Sequence, residues 1–272
     1  MSSIIEILTL ASPLLFATLG ALCSEYAGVL AVFMDGAITF AGFVCIAVTG
    51  ATGSPVAGFA AAAVCTVALL FAVARFTEYT KANPFLTGLA VNLLVSGLTS
   101  WLSQSWYGTR GVVALSAFHV HVDFPRHLAF PAALVFAVFL ALFLRYTKQG
   151  INLKITGSSS AVLTARGVSP SRYRTAAWCI AAFFAACAGS ALVLDLGAFV
   201  PNVSAGRGWT ALAAVYLGYK NPLVCIGAVL LFASTEYITT VLQGFGNLPS
   251  TMILGLPYAL ALLVFILIPR KK

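Results

Sequence analysis

Long apolar stretches with almost no charge alternate along the chain with short polar segments. Eight stretches approach the roughly 20 residues that a helix needs to cross a bilayer; they lie at 7–23, 28–49, 55–74, 84–102, 128–146, 175–195, 221–243 and 251–269. A further stretch, 205–218 (AGRGWTALAAVYLG), is too short for a full span and contains Arg207. Because irregular backbone at membrane depth must be surrounded by protein or water, this stretch predicts a half-helix or re-entrant segment. The predicted fold class is all-α, a polytopic transmembrane helical bundle of about eight to nine spans.

The composition leads to the same class of protein. Of the 272 residues, 61% are hydrophobic and 8% are charged, and the mean hydropathy is +1.00, whereas soluble domains carry about 25% charged residues. Residues 1–272 therefore form one transmembrane domain whose main partner is the lipid bilayer. The net charge of +8 is a topology signal in such a chain, and we expect no nucleic acid partner. The six cysteines lie in apolar stretches without a CxxC pair, which favours buried thiols over disulfides.

Positive charge gathers on one side of the predicted bundle. If the 147–174 loop and the C-terminal residues 270–272 share a side, alternation of the spans puts 12 of the 15 basic residues there. Because cytoplasmic loops carry the excess of Lys and Arg, we expect 147–174 to be a cytoplasmic loop and 103–127 an extracytoplasmic loop. We therefore expect a multi-pass membrane protein with this side facing the cytoplasm.

Acidic residues are few, and some lie where charge is expensive. Glu25, Asp35, Asp195 and Glu236 lie in or beside apolar segments, where a charge costs on the order of 2.5–3.5 kcal/mol or more. Each either marks a transport path or is only held by a nearby helix N-terminus, Ser or Asn. Arg207 lies between two glycines and needs a counter-charge, for which Asp195 and Glu236 are candidates. A structural ion pair is the alternative to a transport role for Arg207.

Catalytic motifs are missing from the sequence. No Lys is followed by Ser or Thr, so there is no GxxxxGK[ST] phosphate loop, and HExxH is also absent. His119, His121 and His127 share one loop with Asp123, but nothing completes a four-ligand zinc set, so we expect a solvated loop and no metal. The chain is therefore expected to be no enzyme and to bind no cofactor itself.

The basic loop contains a short helical pattern. In SSSAVLTARG (158–167), serines precede a run of helix-forming residues and Gly167 follows as a stop signal. We predict a two-turn helix with small residues on one side, which suits a shallow groove on another protein. A membrane chain with such a helix and no nucleotide site indicates a transporter powered by a separate subunit.

Four motifs resemble one known family in the same order. The segments are SEYAGVLAVFMDGAITFAGF (24–43), ANPFLTGLAVNLLVSGLTSWL (82–102), INLKITGSSSAVLTARGVSPSRYR (151–174) and AGRGWTALAAVYLGYKNPL (205–223). They resemble the membrane subunits of bacterial ABC importers for simple sugars, nucleosides and related compounds, the ribose-permease-like family. The resemblance covers about residues 12–243. It implies a single transmembrane permease domain that forms the path of an ATP-driven importer in the bacterial cell inner membrane.

The resemblance also implies partners and a coupling segment. ATP is expected on a cytoplasmic ATP-binding subunit, and the path is shared with a second related permease, for which the short N-terminus favours a heterodimer. An extracytoplasmic substrate-binding protein supplies the solute. The residues expected to couple this chain to the ATPase lie in the cytoplasmic loop: Gly157, Ser158, Ala161, Ala165, Arg166 and Gly167.

The chain departs from the family pattern where solute is expected to pass. The family's Asn-Ile-Gly-Leu-Glu-Gly is replaced by residues 31–36, Ala-Val-Phe-Met-Asp-Gly. The added Phe and Met offer an adaptable apolar surface, which favours a ring-containing solute such as a nucleoside or riboflavin over a simple sugar. The expected path residues are Glu25, Phe33, Met34, Asp35, Asn92, Asp195, Asn202 and Arg207. The alternative is an ion-coupled secondary transporter that uses Asp35, Asp195 or Glu236.

Overall fold

The computed structural model describes residues 2–118, 126–244 and 259 of the chain. Within residues 2–118 and 126–244 it contains ten α-helices: α1 (Ser2–Tyr26), α2 (Met34–Thr52), α3 (Pro55–Thr80), α4 (Pro84–Tyr107), α5 (Arg126–Tyr146), α6 (Lys148–Ser158), α7 (Ser160–Ala165), α8 (Pro170–Leu196), α9 (Arg207–Leu217) and α10 (Pro222–Gly244). Two short strands, β1 (Val113–Ala114) and β2 (Ala198–Phe199), pair antiparallel.

The predicted all-α polytopic bundle is confirmed. Seven of the helices in the described residues, α1 to α5, α8 and α10, are long and apolar enough to cross a membrane. The eighth predicted span, 251–269, lies outside the described residues except for residue 259, and the basic C-terminus and most of the histidine loop (119–125) also lie outside them. No group of three or more His, Cys, Asp or Glu side chains that could hold a metal occurs in the part of the chain that the structure describes.

Proline and glycine set the helix boundaries. The helices α3, α4, α8 and α10 each begin with a proline, whose missing N–H costs nothing in the first turn. Ser54 and Asn83 cap α3 and α4 by accepting backbone N–H bonds. Gly53, Gly108 and Gly197 end α2, α4 and α8 in the left-handed conformation, which glycine adopts without steric cost.

The helix α8 lies in the middle of the bundle and packs against α1, α2 and α3. Nine of its 16 buried residues are alanine, glycine or serine, which let neighbouring backbones approach closely. At its crossing with α2, a Cβ atom on Gly189 would lie 3.0 Å from the backbone nitrogen of Gly42. The small residues of this span therefore allow tight helix packing.

The two ends of the bundle are distinct. At one end, the side chain of Arg174 lies 3.8 Å from that of Glu78, and Lys154 lies over the ring of Tyr26. We call this the basic end, and it is the end predicted to be cytoplasmic. At the opposite end, β1 and β2 tie the segment after α4 to the segment after α8.

The segment predicted as a cytoplasmic loop, 147–174, is largely helical, and it contains one helix more than the sequence predicted. Thr147 caps α6 by accepting the Gly150 N–H at 3.0 Å, and α6 continues to Ser158. The predicted short helix is present as α7, and Gly167 follows it with a φ of 72°. Sequence reasoning missed α6 because this segment has no apolar periodicity and contains two glycines.

Candidate functional site

An interruption separates α1 from α2, inside the apolar stretch that we predicted as one span (28–49). Residues 27–33 are not helical, and the side chain of Asn92 on α4 replaces the missing helical bonds. Its Nδ2 donates to the Val32 carbonyl at 2.8 Å, and its Oδ1 accepts the Gly36 N–H at 2.8 Å. These two backbone groups are four residues apart, the pair that a continuous helix would bond directly. Asn92 therefore stabilises a break at residues 27–33, which include no polar side chain that would indicate a break in the sequence.

The helix α9 is the predicted short helix of the 205–218 stretch. It has 11 residues, so it spans about 16 Å, roughly half of a 30 Å bilayer core. It is preceded by Gly206 at a φ of 81°, and the turn after it reaches the basic end, where the Lys220 carbonyl accepts a hydrogen bond from the Tyr26 hydroxyl. The helix therefore begins near the middle of the bundle.

The first turns of α2 and α9 meet each other. The Asp35 carboxylate accepts the Gly208 N–H at 3.1 Å, so an acid on one interrupted helix caps the N-terminus of the other. A negative charge is favourable there because the helix dipole is positive at its N-terminus. A Cβ atom on Gly208 would lie 2.7 Å from the Asp35 Cα, so this approach requires glycine.

Arg207 makes its ion pair with Glu236 of α10, one of its two predicted partners. Arg207 is the first residue of α9, where the helix dipole opposes a cation. The Arg207 side chain is 16% exposed and the Glu236 side chain 33% exposed. A nearby carboxylate is therefore needed to hold this charge inside the bundle.

Hydroxyl and amide groups extend the same site. The Thr39 and Ser204 hydroxyls lie 3.1 Å apart, and the Ser204 hydroxyl lies 3.4 Å from Asn202 Oδ1. Thr39, Ser204 and Glu236 were absent from the predicted path residues. The sequence feature that could have indicated them is that each is a polar residue within or next to an apolar stretch. We call the whole group the central polar cluster: Asp35, Thr39, Asn92, Asn202, Ser204, Arg207 and Glu236.

Two predicted path residues belong to the packing of the bundle instead. Phe33 and Met34 have no exposed surface. The Phe33 ring lies 4.4 Å from that of Trp178 between centroids, and the Met34 side chain packs against Gly20. Both side chains are covered by this chain's own helices, so the argument that they favour a ring-containing solute no longer holds.

Glu25 and Asp195 occupy other positions. Glu25 lies at the basic end, where its carboxylate is 2.8 Å from Lys220 Nζ and accepts the Tyr216 hydroxyl at 2.9 Å. Asp195 is partly buried in the last turn of α8. Of the eight predicted path residues, the structure thus brings Asp35, Asn92, Asn202 and Arg207 together.

The predicted coupling residues are all exposed, and one of them, Gly157, also contacts the start of the α1–α2 interruption. Leu163 is fully buried and anchors α7. Gly157 lies against the backbone of Gly28, since a Cβ atom on Gly28 would lie 2.9 Å from the Gly157 Cα. The remaining coupling residues are exposed: Ser158, Ala161, Ala165, Arg166 and Gly167.

The family pattern described as "Branched-chain amino acid transport system / permease component" matches residues 3–269. This chain belongs to that permease family. It is a multi-pass membrane protein with the seven candidate spans given above.

Individual members of the permease family with known names resemble this chain over most of its length. The putative glucose ABC transporter permease protein TsgC13 of Haloferax volcanii is 29% identical over 81% of this chain and 71% of its own length. The nucleoside ABC transporter permease protein NupC of Lactococcus lactis is 25% identical over 98% of this chain and 92% of its own. The guanosine ABC transporter permease protein NupQ of Bacillus subtilis is 24% identical over 94% and 88%.

A solved structure has the same fold. A chain of PsaBC from Streptococcus pneumoniae in complex with Fab superposes with a TM-score of 0.59, covering 99% of this chain and 93% of that chain. The two sequences are 14% identical, so this similarity concerns the fold alone.

Proposed function

We propose that this permease is the membrane subunit of an ATP-driven ABC importer that carries a nucleoside across the bacterial inner membrane. The observation that carries the proposal is the meeting of two interrupted helices at the central polar cluster. Transporters of several folds bind solute near the bilayer midplane at such helix breaks. The substrate class follows the names of the relatives NupC and NupQ.

The chemistry of the cluster suits a hydroxylated, uncharged solute. Its amide groups, on the exposed Asn202 and the partly buried Asn92, can donate and accept hydrogen bonds, and the buried hydroxyls of Thr39 and Ser204 lie behind them. Its charges are already used within the protein, since Asp35 caps α9 and Arg207 pairs with Glu236. A nucleoside or a sugar presents hydroxyl groups that can exchange for these internal bonds.

The energy source is proposed to be a separate ATP-binding subunit that docks on α7. The exposed side of α7 carries Ala161 and Ala165, whose small side chains allow a partner to approach closely, and Arg166 adds positive charge. A second related permease and an extracytoplasmic substrate-binding protein complete the proposed importer. The two permeases are proposed to form a heterodimer.

Transport by the purified assembly tests this proposal. The complex that co-purifies with this chain is reconstituted in proteoliposomes, and uptake of radiolabelled guanosine is measured with and without ATP. We expect uptake only with ATP and with the ATP-binding subunit present. Uptake by this chain alone, driven by an ion gradient, would instead support the secondary transporter that uses Asp35 or Glu236.

Competition between solutes separates the substrate classes. An excess of unlabelled inosine is expected to block guanosine uptake, while glucose and riboflavin leave it unchanged. Glucose is the competitor that most needs to be tested, because TsgC13 is named as a putative glucose permease. Inhibition by glucose but not by inosine would reassign the importer to simple sugars, and inhibition by riboflavin alone would reassign it to flavins.

A further inference from the structure

A second charged group, separate from the central polar cluster, lies at the basic end of the bundle. Glu25 near the end of α1 pairs with Lys220 at 2.8 Å, and it accepts the Tyr216 hydroxyl of α9 at 2.9 Å. The Glu25 side chain is 10% exposed and that of Lys220 44% exposed. These contacts join the end of α1 to the end of α9.

Tyr26 connects the same group to the cytoplasmic helices. Its hydroxyl donates to the backbone carbonyl of Lys220, and Lys154 of α6 places its ammonium 5.0 Å from the centre of the Tyr26 ring, within the range of a cation–π contact. Two residues later, Gly28 packs against Gly157 at the end of α6. The segment α6–α7 therefore contacts the chain where the α1–α2 interruption begins.

Three residues in the segments held by these contacts have a left-handed backbone conformation. Gly28 has a φ of 76°, and Tyr219 and Lys220, between α9 and α10, have φ values of 50° and 56°. Residues with side chains rarely adopt this left-handed region and keep it only where surrounding contacts impose it. At Lys220, the contacts are with Glu25 and Tyr26.

We propose that five residues at this end are positioning residues that transmit displacement of α6–α7 to the first turns of α2 and α9. We call them the basic-end cluster: Glu25, Tyr26, Lys154, Tyr216 and Lys220. Because α2 and α9 each move as a rigid body, a shift at their basic-end connections moves Asp35 and Gly208, which face each other in the central polar cluster. This inference rests on the proposed function, because it assumes that an ATPase moves α7.

Charge exchange between Glu25 and Lys220 tests the proposal. Glu25→Lys and Lys220→Glu are made singly and together in the full importer complex, and guanosine uptake and ATP hydrolysis are measured in the same proteoliposomes. We expect each single variant to raise the ATP hydrolysed per solute carried by roughly fivefold or more, a typical size for coupling between sites. The double variant restores the pair with reversed sign and is expected to recover most of the wild-type ratio.

Glu78→Lys is the matched control, because Glu78 also makes an ion pair at the basic end, with Arg174 at 3.8 Å, but lies outside the basic-end cluster. We expect it to keep the wild-type ratio. An unchanged ratio in both single variants of the basic-end cluster would overturn the inference. Equal loss of uptake and hydrolysis, with loss of the assembled complex, would also overturn it by assigning the cluster to folding. If the wild-type complex itself shows no ATP-driven uptake, the proposed function fails instead.

Discussion

The substitution Asn92→Leu removes the side chain that stabilises the interruption between α1 and α2. Leucine has nearly the shape of asparagine but offers no hydrogen bond, so the Val32 carbonyl and the Gly36 N–H lose their 2.8 Å partners. Val32 is 3% exposed and Gly36 is buried, so water cannot replace Asn92 without rearrangement.

The expected cost comes from these two groups. Each buried backbone group left without a partner costs about 1–3 kcal/mol, so the variant is expected to lose about 2–6 kcal/mol of stability. Direct bonding between Val32 and Gly36 would reduce the cost, but it would also extend α2 and shift Asp35 from the Gly208 N–H. Stability and the arrangement of the central polar cluster therefore depend on the same side chain.

Thermal unfolding in detergent, at one scan rate, measures the effect. The control is Asn83→Ala, which removes a cap from the exposed start of α4 and is expected to cost about 1 kcal/mol. With a shift of about 2–4 °C per kcal/mol for a chain of this size, Asn92→Leu lowers Tm by at least about 4 °C and by at least twice the control. A variant that unfolds no earlier than the control would refute the role of Asn92.

Three further predictions concern the pair at α9, the α2–α8 crossing and the α7 surface. Arg207→Met and Glu236→Gln each lower stability by about 1–3 kcal/mol, because the remaining charge loses its partner in a partly buried site, and the double variant costs less than the sum; additive Tm losses would contradict this. Gly189→Ala lowers Tm by several degrees because its Cβ would crowd α2. Gly227→Ala is the control, because this position faces open space, and it leaves Tm unchanged. Equal Tm shifts in the two variants would contradict tight packing of α8 against α2 at Gly189. Ala161→Trp abolishes ATP-driven uptake, because its large side chain holds the partner away from α7, while the helix content by circular dichroism stays unchanged. Normal uptake by this variant would show that α7 is not the docking site.

The two interrupted helices differ in how far sequence could predict them. At 205–218, two glycines around Arg207 mark a break within an apolar stretch, and the structure has a short helix there. At 27–33, the residues are apolar and read as part of a continuous span. The group that stabilises this break, Asn92, lies about 60 residues away on α4, and a linear pattern carries no information about that contact.

The directions in which side chains point also could not be predicted from the sequence. Phe33 and Met34 lie directly before Asp35, so their sequence neighbourhood indicated the same path. In the structure Asp35 faces α9, whereas Phe33 faces Trp178. Because α2 begins only at Met34, no helical period runs through both residues that could assign their side chains to a face.

The bond between Asp35 and Gly208 limits how the chain length can change. Each residue added to a non-helical segment lengthens it by up to about 3.3–3.6 Å, which is more than the 3.1 Å between the Asp35 carboxylate and the Gly208 nitrogen. One inserted residue in 27–33 or in 197–206 would therefore displace a helix start and separate the carboxylate from the amide that it caps. Surface loops usually tolerate insertions and deletions, but these two connections have a fixed length. Evolution can exchange side chains along them far more easily than it can lengthen or shorten them.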